Sequence, residues 1–204
     1  MLDPFYLIVD HPRWLETLAP AGLKLAQLRV KNMAPDDLRT TLAEGLSVAG
    51  RLGITLVIND HWELARDLGA QWVHLGQEDL AETDLPALRR AGLRLGVSTH
   101  TPEELDLALA ASPDYVAIGP VFPARGKVVD YPPLGEEGIR LWRARVSCPL
   151  VAIGGLRLEQ APALRRAGAD SLCVITDVLQ NPDPQARCAA WIRATRPDGS
   201  DGDG

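Results

Sequence analysis

Three short runs place side chains that could grip a polyanion where apolar segments end: QLRVK at 27–31, INDHW at 58–62 and HLGQED at 74–79. If the first run is extended, Gln27, Arg29 and Lys31 share one face, and an amide and two cations converge on one volume. Asp60 and Asp79 offer the hard oxygen ligands that a magnesium ion takes when it bridges phosphates. Together these residues read as a socket for Mg²⁺ and a diphosphate. The plainer reading is that the charged groups pair with one another at the strand ends and do no chemistry. That reading leaves Gln27, Asn59 and Ser98 at the same tips without a purpose.

Such a socket needs a frame that gathers strand ends. Apolar runs of strand length fall at 5–9, 25–30, 55–58, 72–75, 93–97, 115–118, 150–153 and 171–175, and segments of helical period separate them. The stretch 35–51 carries Leu38, Leu42 and Leu46 on one stripe, and 102–111 opens on Thr101 as an N-cap. Gly69, Gly92 and Gly168 each stand beside an alanine at the end of a helical stretch, as left-handed C-caps do. Strand, helix and strand with short connections demand a parallel sheet, and eight right-handed crossovers can close it. The sequence therefore predicts an α/β fold, an eight-stranded parallel (β/α)₈ TIM barrel, forming a single domain over 1–195. An open doubly wound sheet shares the alternation but would leave several polar strand tips far apart, whereas a barrel brings them to one mouth.

The composition narrows the classes. A chain of 204 residues that is 46% hydrophobic can bury one sizeable core. A net charge of -6, with the relevant cations gathered at strand ends, argues against a nucleic-acid partner. No apolar run is long enough to span a bilayer and the start lacks a secretory signal, so the expectation is a cytoplasmic protein without membrane association. Cys148, Cys173 and Cys188 form no close pair and indicate neither a disulfide framework nor a zinc site. His11, His61 and His74 read as structural, and the scattered tryptophans, Trp142 and Trp191 among them, as packing between helices and barrel. The Gly- and Asp-rich tail at 196–204 reads as disordered. Outer helices with exposed apolar residues are compatible with a homo-oligomer.

The runs QLRVK, INDHW, VHLGQEDL, AGLRLGVSTH, YVAIGPVFP with Lys127, and VAIGG at 151–155 resemble, in order and spacing, those of the thiamine phosphate synthase family. The resemblance extends from Tyr6 to Trp191. It implies a (β/α)₈ barrel that joins hydroxymethylpyrimidine diphosphate to hydroxyethylthiazole phosphate with Mg²⁺, releasing diphosphate. Carried over by position, it puts Gln27, Arg29, Lys31 and Asn59 around the pyrimidine diphosphate, Asp60 and Asp79 on the metal, and Ser98 and Lys127 on the same side. The family's early tyrosine corresponds to Tyr6, which could stack on the pyrimidine or simply line the barrel. Gln77 reads as part of a turn that lets Asp79 reach inward.

Gly154 and Gly155, with Ile175 and Thr176, are placed to receive the thiazole phosphate after the last two strands. On that side the chain departs from the family. Two threonine hydroxyls are missing at 124–126, where Ala124, Arg125 and Gly126 stand, and Asp177 brings a carboxylate toward the presumed phosphate. Two other functions compete. A thiazole tautomerase on the same barrel would use His100 as acid and base but has no need of the diphosphate socket. A non-catalytic sensor of thiamine precursors would keep the pocket and lose turnover.

Overall fold

The computed structural model describes residues 2–123 and 131–196. Lys127, the altered 124–126 loop and the tail at 197–204 lie outside the described residues. Eight parallel strands close on themselves in sequence order, β1 pairing with both β2 and β8. They are β1 (Phe5–Val9), β2 (Leu25–Leu28), β3 (Thr55–Asn59), β4 (Trp72–Leu75), β5 (Arg94–Thr99), β6 (Tyr115–Ile118), β7 (Leu150–Ile153) and β8 (Ser171–Val174). Around them run α1 (Arg13–Leu18), α2 (Pro35–Leu52), α3 (Trp62–Asp67), α4 (Gln77–Glu82), α5 (Leu85–Arg90), α6 (Pro102–Ala110), α7 (Gly135–Arg145), α8 (Ala161–Arg166), α9 (Thr176–Leu179) and α10 (Pro184–Thr195). The closed sheet excludes the open alternative.

The strands read as continuous apolar runs because both faces are covered. One face packs on the helices, where Trp191 stacks on Phe5 with centroids 6.2 Å apart and the Trp142 indole donates to Thr99 Oγ1 at 2.8 Å. The other face fills the barrel with Tyr6, Ile8, Leu25, Val57, Trp72, Tyr115, Val151 and Cys173. Helix α2 buries Leu42, Gly45, Val48 and Ala49, so its inner face is centred on a glycine between the expected leucines. A β-carbon at Gly45 would come within 2.6 Å of Leu28, which makes that glycine a condition of close helix–strand packing.

Helix punctuation follows the sequence. Thr101 accepts from the Glu104 amide and opens α6. Gly69, Gly92 and Gly168 all have positive φ, and the amides of Ala70, Leu93 and Ala169 bond back to Ala65, Leu88 and Leu164, closing each helix in a Schellman turn. Among the described residues no helix is long and apolar enough to cross a membrane.

Candidate functional site

The strand tips bring together most of the residues singled out by the sequence. β2 ends at Leu28, earlier than its apolar run suggests, and the chain turns through Asn32, whose φ is +57°. Gln27 points into the barrel and is buried, Arg29 is half-buried, and Lys31 is exposed at the rim. Exposure thus rises from Gln27 through Arg29 to Lys31 as the chain leaves the barrel for its mouth.

Lys31, Asp60 and His61 line one small cavity beside Asn32 and Met33. Asp60 itself sits in the left-handed region with φ +65°, a conformation that aspartate tolerates better than most residues, and its amide donates to the His74 carbonyl at 2.9 Å. Burial and the neighbouring Asp79 carboxylate push the Asp60 carboxyl above the usual carboxylate range, while Lys31 and His61 oppose the rise. Two carboxyl groups so close repel when both are ionised, and a divalent cation between them would relieve that repulsion. Among the described residues no cluster of three or more His, Cys, Asp or Glu side chains could hold a metal ion. Two carboxylates suit magnesium, which keeps most of its sites for water and phosphate oxygen.

Below the rim lies a polar file that the sequence reading missed. Asn59, His74, Gly96 and Tyr115 stand side by side in register across β3 to β6. His74 Nε2 is 2.7 Å from Ser98 Oγ and Nδ1 is 2.8 Å from the Tyr115 hydroxyl. That hydroxyl is 3.0 Å from the Tyr6 hydroxyl, which accepts from Gln27 Nε2 at 2.9 Å. Desolvation and then the nearby Arg29 cation lower the His74 pKa to about 4, so the ring is neutral near pH 7. Tyr6 lines the barrel interior as a hydrogen-bonded member of this file. The missed signal was parity: His74 alternates with Val73 and Leu75 on the face of Trp72, and that face points inward in a closed sheet.

Gln77 also differs from its expected role. It begins α4 rather than forming a turn, and its amide donates to the Ser98 carbonyl at 2.6 Å, tying the Asp79 helix to the β5 tip. His100 is held by Glu104, with Nδ1 2.7 Å from the carboxylate, and stacks on Tyr131 at 4.3 Å; Tyr131 donates to the other Glu104 oxygen at 2.9 Å.

On the opposite side, Gly154 and Gly155 follow β7 with φ of +97° and +65°. A β-carbon at Gly155 would lie 2.4 Å from the Phe122 carbonyl oxygen, so crowding by the chain after β6 requires glycine here in its own right. Ile175 caps the short α9, which begins at Thr176. Asp177 turns away from the mouth: Arg187 donates to both its oxygens at 2.8 and 3.0 Å and the Trp191 indole to one at 2.6 Å. Its charge is thus already partnered.

Residues 5–178 match a family model described as thiamine monophosphate synthase. A thiamine-phosphate synthase of Rhizobium etli is 52% identical over 197 residues, covering 96% of this chain and 97% of its own. One from Enterobacter sp. is 45% identical over 189 residues, covering 92% and 90%. Among solved structures, a thiamine phosphate pyrophosphorylase from Pyrococcus furiosus shares the fold with a TM-score of 0.84 at 24% identity, over 95% of each chain.

Proposed function

The chain belongs to the thiamine monophosphate synthase family and is a transferase of thiamine biosynthesis, and on that premise we propose how its site works. It joins hydroxymethylpyrimidine diphosphate to hydroxyethylthiazole phosphate. The observation that carries this reading is the meeting of Lys31, Asp60 and Asp79 at one rim, above a barrel interior that holds Arg29 beside a neutral His74.

Breaking the bond to the diphosphate leaves positive charge on the pyrimidine methylene and negative charge on the leaving oxygens. Arg29 and Lys31, joined by Lys127, are the cations that meet the growing negative charge, and Ser98 adds a hydroxyl. Asp60 and Asp79 would hold Mg²⁺, which when bound neutralises the diphosphate and favours its departure. The buried amides of Gln27 and Asn59 supply hydrogen bonds for the pyrimidine ring. The thiazole phosphate is assigned to the loops of Gly154 and Gly155 and of Ile175 and Thr176, which follow the last two strands. The thiazole nitrogen then attacks the pyrimidine carbon. No side chain need move a proton in that step, so positioning and charge supply the rate.

The same reading makes 1–195 one catalytic unit working in the cytoplasm on small molecules. Purified protein supplied with both precursors and Mg²⁺ should release diphosphate and form thiamine phosphate, and chelation of the metal should stop both. Binding of both precursors without product would favour the sensor reading instead.

A further inference from the structure

The file inside the barrel has a direction. An amide nitrogen can only donate, so the Tyr6 oxygen accepts from Gln27, and the same amide lies beside the Tyr115 hydroxyl. Tyr115 is the acceptor left for the buried Tyr6 hydrogen, so Tyr6 donates to Tyr115. Tyr115 has its own hydrogen to place, and His74 Nδ1 is the remaining acceptor beside it. A neutral imidazole carries one N–H, which must therefore be on Nε2, facing Ser98 Oγ. The reverse tautomer would leave one of the two tyrosine hydrogens buried without an acceptor, a situation folded proteins avoid.

We propose that Gln27 is a positioning residue that sets the direction of this file, so that Ser98 accepts from His74 and turns its own hydrogen out into the mouth as a donor for an anion. That the anion is the departing diphosphate rests on the function proposed above; the direction of the file does not. Every oxygen from Tyr6 onward accepts from the residue before it and donates to the one after. The last hydroxyl, at the β5 tip, is the one free to serve a ligand.

Long-range ¹H–¹⁵N correlation spectra of histidine-labelled protein decide the matter, with His74 assigned by its loss in His74→Gln. In the unliganded wild type, His74 should be the Nε2–H tautomer. In Gln27→Met, which keeps the side-chain length and removes the donor, its two nitrogen shifts should move toward each other as both tautomers become populated. An Nδ1–H tautomer in the wild type, or a pure Nε2–H form persisting in Gln27→Met, would overturn the proposal. In turnover, Ser98→Ala should lower kcat by about 10²-fold, and the kcat loss from Gln27→Met should be smaller in the Ser98→Ala background than in the wild type, because no hydroxyl remains to be aimed. Losses that multiply in full would also overturn it. Failure to make thiamine phosphate in the wild type would sink the functional reading while leaving the tautomer result to stand by itself.

Discussion

The ring of Tyr115 crosses directly over Gly96: a β-carbon built on residue 96 would fall 2.0 Å from Tyr115 Cζ. Gly96 is what lets the Tyr115 ring reach across β5 from β6 and stack on His74, with centroids 5.5 Å apart. Gly96→Ala should therefore destabilise the barrel by about 3 kcal/mol, at the upper end of overpacking costs, read as a lower urea midpoint. It should also separate the Tyr115 hydroxyl from His74 Nδ1. A stability equal to wild type would mean the ring can pass elsewhere.

Histidine 74 gives stability a dependence on pH. Its folded pKa is lowered from 6.5 to about 4, so between these values the unfolded chain takes up a proton that the folded one refuses. The contribution is whole above pH 6.5 and is lost as the pH falls toward 4, at about 1.4 kcal/mol per pH unit and about 3 kcal/mol in total. Unfolding free energies of wild type and His74→Gln should diverge by that slope across this window. Parallel curves would show that the ring is protonated in the folded state.

Asp177 should matter for folding and not for substrate. It is held by Arg187 and Trp191, so Asp177→Asn is expected to cost about 1–2 kcal/mol through weakened charge-assisted hydrogen bonds. The KM for thiazole phosphate should stay unchanged. A lowered KM would place the carboxylate's charge on the phosphate after all.

Asp79→Asn tests the metal end of the site. Removing one of two carboxylates should cut Mg²⁺-dependent turnover by about 10²-fold, as losing a preorganised charge-stabilising group does elsewhere. Thermal unfolding should be unaffected or slightly later, since the repulsion with Asp60 is relieved. Full activity at ordinary Mg²⁺ concentrations would move the metal to other ligands.

Much of the frame was legible in the chain because it is encoded locally. Strands β1, β4, β6 and β7 begin and end where their apolar runs do, and Gly69, Gly92 and Gly168 mark helix ends because a positive φ is a property of one residue. β2 was harder to bound: Arg29 and Val30 continue the apolar alternation, and only the turn at Asn32 shows where pairing stops. Gly76 before Gln77 points to a turn in the sequence, whereas the backbone after Gly76 goes straight into a helix.

The sequence by itself determined which residue types stand at the strand tips: cations at 29 and 31, carboxylates at 60 and 79, amides at 27 and 59. It could do so because a strand's end and its alternating faces are written in a few consecutive residues. Closure of the barrel decided the rest. It joined Tyr6 to Tyr115 across 109 residues and Tyr115 to His74 across 41, and it turned Asp177 from the mouth toward Arg187. Hydrogen bonds between residues so distant in the chain exist only once every strand has found its neighbour, so no local pattern can announce them.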